Sequence, residues 1–329
     1  MERQIMISER SSSPFHPGEL EVQQRAGVGD GVRKRAQVAI RKEMPEQHRE
    51  FFANLTYVFV GSADRDGQPS ASILVGPRGF MSSPDPARLL VRAERSKDDP
   101  LSKNLVVGTN LGLLGLDLTN RRRNRLNGRV VSADAEGFEL LVHQSFGNCP
   151  KYIQVRQNIT SNKLCSDKRR RLEFKQLDKP IKRVIQNADT FFVASCTPAY
   201  DGEPGTYDCD ISHRGGRPGF VHATDREITV PDFSGNLYYN TLGNFSVHPY
   251  AALLFIDFLT GDLVHIQGRV EILWNDPRVA SYSGAQRAWR LCIEHGYFAQ
   301  SASIRSGPDV EFSPFTSMTG LWDNGQASG

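Results

Sequence analysis

The spacing of apolar residues changes along this 329-residue chain, and the changes predict its elements. From Gly18 to about Phe52 apolar residues are interleaved among charges at helical spacing. "PEQHREFFANL" predicts a helix with Pro45 near its first turn and Phe51, Phe52 and Leu55 on its buried side. The texture then changes. "TYVFVGSADRDGQPSASILVG" is a β-branched and aromatic run, an Asp-Gly turn and a second strand. Short strands and Gly, Pro and Asp turns continue to about Leu141. The charged, Pro-interrupted segment Lys163 to Asn187 predicts a helical linker. A second β-rich block runs from Thr190 to about Trp274. "DPRVASYSGAQRAWRLCIEHGYF" returns to helical spacing, and the first dozen and the last residues are expected to be loose.

The two β-rich blocks repeat one another. A shift of 140 positions lays "GPRGF" (Gly76 to Phe80) on "GRPGF" (Gly216 to Phe220), and Asn104 on Asn244. The same shift lays "LLGLDL" (Leu113 to Leu118) on "LLFIDF" (Leu253 to Phe258), and "NGRV" (Asn127 to Val130) on "QGRV" (Gln267 to Val270). One ungapped register over this span predicts an internal duplication. In "LVHIQGRVEIL", Val264, Ile266, Val270 and Ile272 fall on one face and His265, Gln267, Arg269 and Glu271 on the other. That is a strand with one packed and one wetter face. Several such strands per copy predict a small barrel, and two copies predict packing about a pseudo-two-fold axis.

Composition narrows the function classes. With 40 Lys and Arg against 37 Asp and Glu, the net charge of +3 points to neither nucleic acid nor acidic lipid. The five cysteines, Cys149, Cys165, Cys196, Cys209 and Cys292, are scattered and have no zinc-ligand spacing. No disulfide framework or metal is therefore expected, and an odd number suits a reducing cytoplasm. "MERQIMISERSSSPF" holds no long apolar run, so neither a signal peptide nor a membrane anchor is expected.

Three stretches carry candidate chemistry. "DISHRGGRPGF" (Asp210 to Phe220) combines glycines, which allow close backbone approach, with arginines, which favour an anion. Taken alone it is equally a surface turn with solvated arginines. "RRRNRLNGR" sets Arg121, Arg123, Arg125 and Asn127 in one row if it is a strand. The row reads either as a solvated basic face or as arginines that reach a ligand. Nucleic-acid contact is disfavoured because no aromatic stacking platform accompanies it. "FGNCPKYIQ" gathers Asn148, Lys151 and Tyr152 beside Cys149, as a packing loop or as a site edge. No GxSxG, Walker A, HExxH or helix-opening GxGxxG is present.

Together these stretches resemble the FMN-binding split-barrel superfamily, the pyridoxamine 5′-phosphate oxidase-like proteins, and within it tandem-barrel bacterial members. The resemblance is carried by "FHPGELEVQQRAGV", "LLGLDLTNRRRNRLNGRV", "FGNCPKYIQ", "DISHRGGRPGF", "VPDFSGNLYYNTLGNF" and "LLFIDFLTGDLVHIQGRVEILW" in that order. It implies a mainly β protein, with flanking helices and two tandem split β-barrels of Greek-key type forming a pseudo-dimer. The expected division is 1–50 as an N-terminal helical extension and 51–160 as the first barrel. A linker at 161–188 and a second barrel at 189–329, with a C-terminal helix and tail, follow.

The resemblance further implies FMN at the barrel interface and an FMN-dependent oxidoreductase. The substrate is then a small organic molecule, with NAD(P)H or O₂ as electron partner. The alternatives are a non-catalytic flavin- or haem-binding protein and a deazaflavin-dependent reductase. Its phosphate site maps to Ser212, His213, Arg214, Gly215, Gly216 and Arg217. The partnering segment contributes Val230, Pro231, Asp232, Phe233, Asn240 and Thr241, and Arg123 and Arg125 cross from the first copy. Asn240 and Thr241 stand where the family commonly has a basic pair. His213, Lys151 and Tyr152 are the candidate catalytic residues. The first copy has Ile73 and Leu74 where the second has His213 and Arg214, so one principal site per chain is expected. A homodimer is compatible with this arrangement, and the expected location is cytoplasmic.

Overall fold

The computed structural model describes residues 13–147, 149–161, 171–199, 204–300 and 304–322. The first dozen residues, Asn148, Cys165 and the end of the tail lie outside them.

Three short helices open the described chain: α1 (Pro17–Arg25), α2 (Gly31–Ala39) and α3 (Glu46–Asn54). The helix read from "PEQHREFFANL" is α3, and it buries Phe51 and Phe52. The first sheet follows: β1 (Tyr57–Ala63), β2 (Pro69–Val75), β3 (Met81–Ser82), β4 (Arg88–Arg92), the one-turn helix α4 (Leu101–Asn104), β5 (Asn110–Asp117), β6 (Arg122–Ala133) and β7 (Gly137–Gly147). Short strands β8 (Val155–Arg156), β9 (Thr160–Ser161) and β10 (Arg171–Phe174) lead to α5 (Lys179–Asn187). The second sheet comprises β11 (Thr190–Pro198), β12 (Tyr207–Gly215), β13 (His222–Ala223), β14 (Glu227–Phe233), α6 (Asn240–Val247), β15 (Tyr250–Asp257), β16 (Asp262–Leu273), α7 (Pro277–Ala280) and β17 (Ala285–Ala299). The strands β18 (Ile304–Arg305) and β19 (Val310–Glu311) and a 3₁₀ turn at Pro314–Met318 close the described chain.

The sheet orders are β2-β1-β5-β6-β7-β4-β3 and β12-β11-β15-β16-β17-β14-β13, antiparallel throughout. They are one topology used twice. β5 and β15, and β6 and β16, differ by 140 positions at both ends. Each sheet wraps its own core. Phe52, Leu89, Leu113 and Phe138 belong to the first, and Phe191, Phe255, Ile266 and Trp289 to the second. A third apolar cluster seals the barrels together, drawing Phe59, Ile73 and Leu114 from one and Phe192, Ile211 and Leu254 from the other. Gly112 allows the barrels to meet closely, since a Cβ there would lie 2.4 Å from the Cys209 carbonyl oxygen.

Two expectations need correction. The segment read as a C-terminal helix is the 15-residue strand β17, preceded only by the single turn α7. Arg287, Ala288 and Trp289 are buried in succession, because β17 packs on both faces and loses strict alternation. The supposed helical linker contains a strand as well as a helix: β10 pairs with β17, and only Lys179–Asn187 is helical among its described residues.

Candidate functional site

One cleft gathers most of the residues singled out from the sequence. It is lined by Arg123 and Arg125 of the first barrel, Ser212, His213 and Arg214 of β12, Asp232 and Phe233 of β14, and Asn240 and Thr241 of α6. Gly235, Asn236, Leu237, Tyr239 and Leu242 complete the wall. The sequence had not marked these five, although Leu237 and Tyr239 carry left-handed backbone at φ 66° and 61°.

β6 delivers its arginines because Arg123, Arg125 and Asn127 alternate on the face turned toward β12. Arg125 is buried and fixed. It donates to Asp210 Oδ1 at 3.1 Å, to the Ile211 carbonyl at 3.0 Å and to Ser212 Oγ. Asn127 donates to the same Asp210 oxygen at 2.8 Å. Thr241 Oγ1 bonds Ser212 Oγ at 3.1 Å. These contacts position the cleft floor.

Two other guanidinium groups are not so engaged. Nε of Arg123 and Nε of Arg214 are buried and have no hydrogen-bond partner among the described residues. Burial and then the neighbouring Arg125 push Arg123 down to about 9. Burial also lowers Arg214, partly offset by Asp232. Asp232 itself is shared, since Arg287 donates to it at 3.1 Å. Burial followed by Arg123 and Arg214 holds His213 well below the usual imidazole range, so this ring is neutral, and its Nε2 is unpartnered. The cleft therefore presents fixed positive charge and unused donors, a combination suited to an anion. Its enclosed space is about 80 Å³, well under the roughly 300–1,000 Å³ of pockets that enclose a whole drug-sized ligand. It accommodates a small anionic group, and a larger molecule bearing that group must lie partly outside.

Behind the cleft, α1 is clamped to α6. A Cβ on Gly18 would lie 2.3 Å from the Gly243 carbonyl oxygen, so the helices cross in direct backbone contact. His16 Nε2 meets Asn244 Oδ1 at 2.9 Å, and Asn240 donates to buried Glu19. Burial and then Asp210 raise the Glu19 carboxyl to about 8. This role of "FHPGELEVQQRAGV" had no signal beyond the family resemblance.

Other expected residues are elsewhere. Arg217 is exposed and donates to the Thr319 carbonyl at 2.8 Å, capping the C-terminal strap. Gly215 and Gly216 do not open the backbone to a ligand. A Cβ on Gly215 would lie 2.0 Å from the Tyr152 carbonyl oxygen, and one on Gly216 would lie 2.4 Å from the Phe220 ring. Gly76 makes the same 2.5 Å approach to Phe80 in the first barrel, so this half of the stretch is a repeated turn. Val230 points into the barrel core and Pro231 sits in β14 against Ala288. Lys151 lies over the Phe315 ring at 4.9 Å. Tyr152 packs on Phe233 at 5.1 Å and so borders the cleft without lining it. Arg121 leaves the expected row: in a turn at φ 62°, it donates to the Ile153 carbonyl at 3.0 Å and to Glu311 at 2.8 Å.

The pseudo-equivalent position in the other barrel is built differently. Leu263 and His265 replace Arg123 and Arg125, and Ile73 and Leu74 replace His213 and Arg214. His265 stacks on Tyr297 at 4.2 Å, with the Arg171 guanidinium 3.7 Å from that ring. A wide groove of 1220 Å³ opens nearby, where Lys97, Lys103 and Arg129 face Asp64, Asp66 and Asp98. Its opposed charges offer no concentrated field for an anion.

Residues 44–165, the first barrel with its leading helix, match the family model described as pyridoxamine 5′-phosphate oxidase. No curated protein matches the chain. Among solved structures, a putative pyridoxamine 5′-phosphate oxidase from Lactobacillus delbrueckii is 15% identical, with a TM-score of 0.29, over 38% of this chain and 97% of that one. A FAD-binding protein from Mesorhizobium loti is 12% identical, with a TM-score of 0.27, over 40% and 99%. HupZ from Group A Streptococcus is 13% identical, with a TM-score of 0.29, over 40% and 99%. Each comparison spans about one barrel.

Proposed function

We propose, from the premise that the first barrel is of the pyridoxamine 5′-phosphate oxidase family, that the cleft holds the phosphate of FMN and that the protein is an FMN-dependent oxidoreductase. One observation carries this reading: the buried guanidinium groups of Arg123 and Arg214, whose Nε atoms have no hydrogen-bond partner among the described residues, both line, one from each barrel, a space of phosphate size. A phosphate dianion would accept charge-assisted bonds from both and relieve their mutual repulsion. Bound FMN would supply reversible electron transfer through its ring.

The chain's own groups do the rest. Arg125, tied to Asp210, holds Ser212 toward the cleft, and Asp232 balances Arg214 and Arg287. Neutral His213 offers one ring nitrogen for a hydrogen bond. Phe233 gives the cleft an apolar edge. In this reading a small organic substrate is met outside the enclosed space, with NAD(P)H or O₂ as electron partner.

The test is a titration of purified protein with FMN and FAD, followed by anaerobic addition of NAD(P)H. Micromolar FMN binding, weaker FAD binding and bleaching by NAD(P)H or by substrate support the proposal. Flavin binding without turnover would reduce the protein to a flavin carrier, and absence of flavin binding would overturn the assignment.

A further inference from the structure

Cys196 and Cys209 are 13 positions apart in sequence and directly opposed across β11 and β12. Directly opposed residues of an antiparallel pair have Cα atoms about 4.5–5.5 Å apart, inside the range a disulfide spans. Both side chains lie on the face turned to the first barrel, the face of Ala194 and Ile211. The two thiols face each other across the strand pair, and Cys196 and His248 converge on one carbonyl of the first barrel. Across the barrel interface, Cys196 Sγ meets the Gly67 carbonyl at 3.2 Å, and His248 Nε2 meets the same oxygen at 2.8 Å. The first barrel has Ala63 and Pro69 at the equivalent pair, so the arrangement belongs to the second copy alone.

The geometry points to a redox-active dithiol, in which Cys196 is the attacking thiol, Cys209 the resolving thiol, His248 the group that activates Cys196, and a peroxide the oxidant. The neighbouring Cys209 thiol and, to a lesser degree, His248 lower the Cys196 thiol against the opposing effect of burial. The same contact and burial raise Cys209, as suits a thiol that attacks second. Both sulfurs are buried, at 0% and 4% residue exposure. That burial excludes a bulky disulfide as the oxidant, so only a small molecule that enters through opening of the barrel interface can serve.

The chemistry balances. Cys196 thiolate attacks one oxygen of hydrogen peroxide, the O–O bond breaks, and the departing hydroxide takes up a proton to become water. Cys196 is left as a sulfenic acid. Cys209 sulfur then attacks Cys196 sulfur, the S–O bond breaks, and the hydroxyl leaves as water with the Cys209 proton. Peroxide gains two electrons and the two thiols lose two. The product staples β11 to β12 immediately before Asp210, the residue that fixes Arg125.

A single tryptic peptide, Val184 to Arg214, contains both cysteines, which makes the test direct. The full chain is exposed to hydrogen peroxide, denatured, alkylated and digested. The expected result is loss of both alkylations from that peptide and a mass two hydrogens lower. Cys209→Ser should accumulate a dimedone-reactive sulfenic acid on Cys196. His248→Gln should slow oxidation by about tenfold near neutral pH, through the lost thiolate fraction. A peptide that stays doubly alkylated while exposed Cys292 is oxidised would overturn the proposal, whatever the variants do. So would oxidation at equal rates with and without His248. Flavin content is not read in this experiment, so its outcome is independent of the proposed cofactor.

Discussion

Phe59 and Phe192 stack face to face, with ring centroids 3.5 Å apart and planes 17° from parallel. They are equivalent residues of the two barrels, since Phe59 pairs with Ile73 on β2 and Phe192 with His213 on β12. A residue that touches its own counterpart marks the pseudo-two-fold axis, as a self-contact does in a symmetric dimer. The bonds beside it come in pairs too. Asn104 donates to Ser62 and Asn244 to Ser195, each at 3.0 Å.

Truncation at this axis should weaken the seal between the barrels. Phe59→Ala or Phe192→Ala is expected to destabilise the protein by about 3–5 kcal/mol, the usual effect of removing a buried aromatic ring. Denaturant unfolding should show it for both variants equally. A loss confined to one of them would mean that the ring packs mainly into its own barrel.

Arg214→Ala and Arg123→Ala should each weaken FMN binding by about ten- to a hundredfold, the worth of roughly 1.5–3 kcal/mol for a bond to a charged group. Arg78→Ala should leave the dissociation constant unchanged, because Arg78 sits on the exposed turn beside Asn54. Flavin fluorescence titration distinguishes them. An effect of Arg78 equal to that of Arg214 would place the phosphate in the other copy.

One flavin per chain is the expected stoichiometry. The counterpart site presents Ile73 and Leu74, and His265 there is already stacked on Tyr297. A phosphate against those apolar side chains would stay unpaired. Calorimetric titration to two equal sites would contradict this.

Glu19 should make the α1–α6 junction sensitive to alkali. Its folded-state pKa of about 8 lies above the ordinary 4.5. The stability it contributes is thus fully present below about 4.5 and is lost as pH rises toward 8. Glu19→Gln should melt above the wild type at alkaline pH, with the advantage shrinking as the solution is acidified. An advantage independent of pH would show that the carboxyl titrates normally in the fold.

Gly215→Ala should destabilise the second barrel by about 1–3 kcal/mol through overpacking against the Tyr152 carbonyl, with FMN affinity affected less than by Arg214→Ala. A loss of flavin binding without loss of stability would restore Gly215 to the ligand.

The duplication, the strand-rich blocks and the two turns were legible because they rest on local patterning. Val264, Ile266 and Val270 face one core because a strand alternates, and Gly76 and Gly216 recur because each turn seats its own phenylalanine. The cleft was not legible that way. Ser212, Arg214, Asp232 and Phe233 were named through the family resemblance, and strand alternation would set adjacent Asp232 and Phe233 on opposite faces, whereas a register shift between them leaves both in the wall. Where one element packs on both sides, local pattern failed. β17 buries Arg287 and Trp289 on one face and Ala288 between them on the other, so its spacing imitated a helix. Where a residue's partner is far along the chain, only the tertiary structure decided. Arg123 reaches the cleft and Arg121 turns away because of where β12 and the C-terminal strap lie against the first barrel. The scattered cysteines became a pair only through the β11–β12 register. Strand periodicity is written in neighbouring residues, whereas the docking of one barrel on another is set by surfaces assembled from segments more than a hundred positions apart.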